Sequence, residues 1–346
     1  MCIQDKNILI LDIETTGFSR EDSIIYMIGY VVKIDNEYKY DNIFASDPSK
    51  EEDLIRHFFS LLTDIDYIIS YNGNNFDIPF LLARAKKYNI PDKISSILSI
   101  DIYELLRPYR NSLKLKDLKL DTIQESLGYK RRDSYNGGDL IQIYKSYSQK
   151  PYRPYYELLL IHNREDVEGM INLLPLIDLM KLIDTITDKE GIEVTSINKS
   201  SRYMELFYMM PSKSLVNFSL HCNWSKARLD FSKDSPILSF TIPVFKTSKK
   251  YFFENYKDYV YIPESQEIMH KSVANFLPAK KRERVNKADC YLIKTGEFIP
   301  FFSEDKKVKI FKDNLRSKEQ YAYLEEDLNE DFYQGQVIAF LKSCKN

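Results

Sequence analysis

ILILDIETTGF, residues 8–18, is an apolar run that carries two acids and ends at a glycine. Four aliphatic residues followed by alternation read as a buried strand that breaks into a turn at Gly17. Side chains at i and i+2 of a strand share a face. Asp12 and Glu14 therefore emerge side by side at the strand end, with Ile13 turned into the core. Two carboxylates held a few ångströms apart repel and raise one another's pKa. A divalent cation removes that conflict, and an oxygen-rich site suits Mg²⁺ or Mn²⁺. A solvated acid pair on a surface strand fits the same residues, so this stretch speaks for a fold before it speaks for a chemistry.

The neighbouring segments extend the pattern. Residues 23–34 and 38–45 read as two further strands joined by a turn at 35–37. A helix over 51–64 has an apolar stripe through Leu54, Phe58, Leu61 and Leu62. A short buried strand at 67–73 leads through an Asn/Gly turn into a helix over 76–90. Strand, hairpin, helix, strand, helix predicts an α/β fold with a mixed sheet flanked by helices. Further helices are expected over 113–128, ending at a Gly128 cap, over 137–150, and from 155 to about 180, where Pro175 kinks or splits the last. Beyond residue 185 short alternating segments predict a β-rich unit that ends in a helix over 335–344. The expected organisation is a domain at 1–185 and an accessory domain at 186–346.

Composition sets the class. A chain of 346 residues, 29% charged and 44% hydrophobic, is that of a soluble globular protein with room for two domains. There is no 18-residue apolar run for a membrane span and no signal-peptide pattern at the N-terminus. The four cysteines, Cys2, Cys222, Cys290 and Cys344, lie far apart and have neither zinc-site nor disulfide-framework spacing. A cytoplasmic location is the expectation. The net charge of −2 averages two unlike parts: residues 1–180 carry −6 and the rest +4. An acidic half beside a mildly basic one suits a cation-bearing site that meets an anionic substrate, although ordinary scatter of charge gives similar sums.

Two more acids follow in order. Asp77 lies just past a strand, in SYNGNNFDIPF, at the start of a helix. It reads either as a helix-capping residue or, with Asn72 and Asn75, as part of a site at a strand end, where α/β sheets place ligands. HNRED sets His162 and Asp166 at i and i+4, adjacent on one helix face. That pair is either a surface His–Asp contact or a cation ligand beside an imidazole that takes a proton near neutral pH. Four acids in this order, two at a strand end and two on helices facing it, have the means to gather two metal ions about 4 Å apart for phosphoryl chemistry.

With those residues in place, the first half of the chain resembles the DEDD superfamily of 3′–5′ exonucleases, which have a ribonuclease H-like fold. LDIETTGFS is similar to the first motif of that superfamily, YNGNNFDIPFL to the second and HNREDV to the third. The second has the N-x-x-x-F-D form of the proofreading domains of B-family DNA polymerases. The run from LKLKDLKLDTIQESLG to HNREDVEGM is most similar to the YprB-like ribonuclease H-fold proteins. The resemblance, over about residues 5–185, implies hydrolysis of 3′-terminal phosphodiesters with two divalent cations, Mg²⁺ or Mn²⁺, releasing 5′-mononucleotides. It implies Asp12, Glu14, Asp77 and Asp166 as metal ligands and His162 as the general base. It also implies a grip on the terminal nucleotide of single-stranded DNA or RNA by Thr15, Phe18, Asn72 and Phe76, with a backbone contribution around Gly17. One departure stands out: His-type members have four residues between the histidine and the last acid, whereas His162 and Asp166 have three between them. Glu165 is then the alternative base. The fold also admits a non-catalytic nucleic-acid-binding module or a ribonuclease H-type endonuclease.

Cationic clusters at Lys114, Lys116 and Lys119, at Lys130–Arg132 and within KKRERVNK (280–287) offer contacts for phosphates; each also reads as an ordinary solvated surface. YFFENYKDYVY (251–261) interleaves rings with lysines and fits either a base-stacking surface or the core of a sheet.

Overall fold

The structure is a computed structural model that describes residues 6–34, 37–129, 135, 137–188, 191–303, 308–324 and 328–345. Residues 35–36 of the expected turn and the Lys130–Arg132 cluster lie outside the described residues. The chain divides into two compact units, Met1–Arg110 with Leu115–Lys181, and Asn111–Lys114 with Leu182–Asn346.

In the first unit, strands β1 (Ile8–Thr15), β2 (Ile25–Ile34) and β3 (Glu37–Phe44) form an antiparallel meander. Helix α1 (Glu51–Leu61) leads to β4 (Tyr67–Ser70), α2 (Asp77–Lys87) and β5 (Leu98–Asp101), followed by the short α3 (Ile102–Leu106) and α4 (Leu120–Ser126). Helices α5 (Gly137–Gln149) and α6 (Arg153–Ile171) follow, and α7 (Leu174–Thr187) begins in this unit, with its residues from Leu182 on counted in the second. The sheet order is β3-β2-β1-β4-β5, with β4 parallel to β1 and β5 parallel to β4. It is thus a mixed sheet with β1 at its centre.

Both faces of the central strand are used. Leu9, Leu11 and Ile13 share a buried cluster with Phe58 and Phe59 of α1 and Phe80 and Leu81 of α2. Helix α6 packs against β1 and β2. Covered on both sides, β1 is wholly buried as far as Leu11, and accessibility returns only at Asp12 and Glu14. This is why the strand begins as an uninterrupted aliphatic run.

A buried ion pair ties the two helices to the turn after β1. The Arg84 guanidinium lies against the Glu51 carboxylate, with Nε donating to Oε1 at 2.7 Å. Arg84 also donates to the main-chain oxygens of Arg20 and Glu21, and Glu51 accepts from the Ile25 amide. The middle of the 16–24 turn and the residue that follows it are thus fastened to α2 and α1. Arg84→Met is expected to cost about 3–5 kcal/mol by leaving Glu51 charged and unpaired in the interior; chemical denaturation of the variant measures it.

One expectation needs correction, one is met, and one element is new. Residues 113–119 are not helical: Lys114 takes a positive φ of 54° and α4 begins only at Leu120. The long helix after Tyr155 divides between Ile171 and Leu174, with Pro175 in the first turn of α7, where its missing N–H costs nothing. Strand β5 goes beyond the expected elements: the alternation in LSID runs for only four residues, too few to stand out.

The second unit contains β6 (Glu193–Lys199), β7 (Tyr203–Met209), β8 (Phe218–His221), β9 (Arg228–Phe231) and β10 (Ile237–Pro243), which form an antiparallel sheet in the order β6-β7-β10-β9-β8. Strands β11 (Phe245–Phe252), β12 (Tyr259–Ile262) and β13 (Glu267–His270), the single-turn α8 (Lys271–Ala274), β14 (Glu283–Arg284), β15 (Tyr291–Pro300) and β16 (Tyr321–Tyr323) make two three-stranded sheets. Helix α9 (Glu330–Cys344) follows, and Tyr208 Oη donates to the Tyr333 carbonyl within it. The rings of 251–261 are half-buried and pack on one another, Phe253 stacking on Tyr259 at 4.2 Å. No helix among the described residues is long and apolar enough to cross a membrane.

Candidate nuclease site

The end of β1, the start of α2 and the middle of α6 bring the candidate acids together. Asp12 and Glu14 share one strand face, as the i, i+2 spacing requires. Glu14, His162 and Asp166 offer ligand atoms within 4.8 Å of one another. His162 Nε2 lies 3.3 Å from Asp166 Oδ2 and 3.7 Å from Glu14 Oε1. Tyr26 Oη reaches Glu14 Oε2 at 3.4 Å, and burial together with that carboxylate holds the phenol protonated.

Asp77 does not cap its own helix. Its Oδ1 accepts the Ile13 amide at 3.0 Å, stitching the start of α2 to β1 between Asp12 and Glu14. The approach is close: a Cβ on Gly73 would lie 2.3 Å from Ser70 Oγ and 3.3 Å from Asp77 Oδ2. Burial raises the Asp77 carboxyl from 3.8 to about 7, against the opposing hydrogen bond from Ile13. Asp12 is raised in the same direction, by burial first and then by the charges of Asp166, Glu14 and Asp77, although part of the residue stays accessible.

The proposed nucleotide-gripping residues divide. Phe18 is 89% exposed at the tip of the anchored turn and meets Phe76 edge to face at 6.1 Å. Thr15 is buried, its hydroxyl donating to the Gly17 carbonyl. Asn72 has a positive φ of 62° and bonds Asn75 through its side chain, a turn-forming role. Asp101, at the end of β5, accepts the amides of Asn72 and Asn74 and so shapes that turn.

Sequence reasoning missed Asp101 and also Asn163, which is fully buried and donates to Asp12 Oδ2 at 3.0 Å. A signal for Asn163 was present. Gly29 is an isolated glycine inside the apolar β2, a mark of close approach by another chain segment. It pairs with Asp12 across the sheet, and a Cβ there would fall 1.8 Å from Asn163 Oδ1.

Crowded carboxylates with one imidazole form a hard, oxygen-rich donor set that fits a divalent cation. A falling stability with rising pH is therefore expected when metal is chelated. An acid whose pKa is raised on folding binds more protons in the folded state, so its stabilisation is complete below about pH 4 and is lost as the pH rises through about 7. Melting temperatures in EDTA should fall across that window, Mn²⁺ should restore them at the upper end, and Asp77→Asn should flatten the slope.

Fold and site define a class: a ribonuclease H-like α/β domain with an acidic cluster at the end of its central strand. Residues 9–180 match the RNase_H_2 family, described as RNase_H superfamily, and this part of the chain is an RNase_H-like superfamily domain. The chain is 23% identical over 169 residues to a DNA polymerase of Pyrococcus glycovorans, covering 41% of this chain and 22% of that one. It is 31% identical over 150 residues to the DNA polymerase catalytic subunit of Alcelaphine herpesvirus 1, covering 34% and 14%. The chain thus spans about a fifth or less of the length of these polymerases. Among solved structures, the family B DNA polymerase of Pyrobaculum calidifontis aligns with 77% of this chain and 40% of its own at a TM-score of 0.42 and 16% identity.

Proposed function

We propose that the first unit is a 3′–5′ exonuclease that removes 5′-mononucleotides from single-stranded 3′ ends of DNA or RNA. The observation that carries this reading is the convergence of Asp12, Glu14, Asp77, His162 and Asp166 at the end of the central strand. Partial similarity to DNA polymerases supports a nucleic-acid substrate, and the motif order 12–14, 77, 162–166 is that of the proofreading domains. Within the superfamily we place the chain with the YprB-like proteins, on the motif run 113–170 alone.

In this reading Asp12, Glu14, Asp77 and Asp166 hold two divalent cations, Mg²⁺ or Mn²⁺. The cations supply Lewis-acid stabilisation of the charge that builds on the scissile phosphate. His162 takes the proton of the attacking water. Its Nε2 lies 3.7 Å from Glu14 Oε1 and 3.3 Å from Asp166 Oδ2, which keeps the ring beside the carboxylates of the site. Phe18, exposed and braced by Phe76, offers a face on which the terminal base stacks. Thr15 and Asn72 support the two turns that bound the nucleotide.

The test is degradation of 5′-labelled single-stranded DNA and RNA with Mn²⁺, Mg²⁺ or EDTA, with and without a blocked 3′ end. A metal-dependent ladder that disappears with the block is expected. Cleavage that survives the block would point to an endonuclease. Retention of the strand without cleavage would leave a nucleic-acid-binding module.

A further inference from the structure

We infer that Asn163 is a positioning residue for the cation site: it fixes the Asp12 carboxylate in one orientation through a buried amide that spans Asp12 and Tyr40. The inference deepens the two-cation reading above and rests on it.

The geometry is specific. Asn163 Nδ2 donates to Asp12 Oδ2 at 3.0 Å and lies 3.4 Å from the Asp12 carbonyl oxygen. On its other side, Oδ1 accepts from Tyr40 Oη at 3.4 Å. A carboxylate only accepts, so the amide must turn its NH₂ toward Asp12, and the Tyr40 hydroxyl meets the opposite end. Tyr40 is itself held from outside, with the Arg164 guanidinium 5.1 Å from its ring centre. The side chain of Asn163 is wholly shielded from solvent, so water cannot replace either bond.

The packing allows this only because residue 29 is glycine. Asp12 and Gly29 are cross-strand partners on β1 and β2, and the amide occupies the space that a Cβ on Gly29 would fill. Helix α6 thereby approaches the sheet closely enough for one turn to present His162, Asn163 and Asp166 to the same strand. With Oδ2 committed to Asn163, Asp12 offers its other oxygen to a cation in a defined direction. The bond also offsets part of the repulsion between Asp12 and its acidic neighbours. Groups that orient a ligand from behind are generally worth about 10–100-fold in metal affinity when removed.

The experiment is Mn²⁺ titration of chelator-stripped full-length protein, followed by the electron paramagnetic resonance of free Mn²⁺, with no nucleic acid present. Asn163→Leu keeps the branched heavy-atom skeleton of the side chain and removes the donor; its Mn²⁺ affinity is expected to fall about 10–100-fold. Tyr40→Phe keeps the amide and removes only its brace, and is expected to lose about two- to tenfold, the net worth of one neutral hydrogen bond. It serves as the deciding variant if Asn163→Leu does not fold. In activity assays the Mn²⁺ concentration for half-maximal rate should rise in both variants, with the rate at saturation much less changed, a split that loss of packing does not produce. Wild-type affinity in a folded Asn163→Leu protein, or in Tyr40→Phe if that variant must decide, overturns the inference while leaving the cation site intact. A wild-type protein that binds no Mn²⁺ overturns the cation reading and this inference together. Tight Mn²⁺ binding without strand cleavage would instead remove the exonuclease reading alone.

Discussion

Asp12→Asn is expected to lower hydrolysis of a labelled strand by about 10³-fold or more, because cation stabilisation of a phosphoryl transition state is worth several kcal/mol. The substitution is nearly isosteric, and the new amide oxygen still accepts from Asn163 Nδ2, now 3.0 Å from Oδ2. What disappears is one negative charge from a cluster in which Asp166, Glu14 and Asp77 already push the Asp12 carboxyl upward. The variant should therefore be at least as stable as the wild type in EDTA near neutral pH, and it should gain less from added Mn²⁺. Asp166→Asn should behave alike, since its carboxylate sits with Glu14 and His162 in the same ligand group. Single-turnover cleavage at saturating Mn²⁺, run beside thermal melts in EDTA, separates lost chemistry from lost fold. A folded Asp12→Asn protein that cuts at the wild-type rate would remove the two-cation assignment.

His162→Ala should reduce the rate by about 10² to 10⁴, the usual worth of a positioned general base. The ring is about nine-tenths buried, and its Nε2 faces the carboxylates of Glu14 and Asp166, which fixes it at the site. The loss should be largest near neutral pH and should shrink as hydroxide rises. Mn²⁺ affinity decides between two roles for the ring. If affinity is kept while the rate falls, His162 handles the proton; if both fall together, it acts as a ligand beside Glu14 and Asp166. A variant with the wild-type rate would transfer the role to another group, with Glu165→Gln the next substitution to make.

The central features were legible because they depend on local periods. Alternation along β1 puts Asp12 and Glu14 on one face whatever surrounds them, and the four-residue step from His162 to Asp166 does the same on α6. The aliphatic start of β1 declares a strand covered on both sides. The alternatives that remained open were all questions of distance across the chain. Asp77 is as good a helix cap as a site residue by sequence, and the choice falls to the Ile13 amide, 64 positions away, to which it bonds. Strand β5 carries too few apolar residues to announce itself and owes its existence to the open edge of β4.

Asn163 is the clearest case of the second kind. Nothing in HNRED distinguishes it from a solvated helix residue, and a shift of one position in how α6 crosses the sheet would turn it away from Asp12. Backbone period is enough to set the paired acids on one strand face and the His–Asp step on one helix face. The partners of those groups, namely Ile13 for Asp77, Asn163 for Asp12 and Arg84 for Glu51, depend on which helix faces meet which strands. That is decided by close packing around Gly29 and the buried aliphatic face of β1: the local pattern marks that something packs there, and the tertiary fold chooses which side chain does.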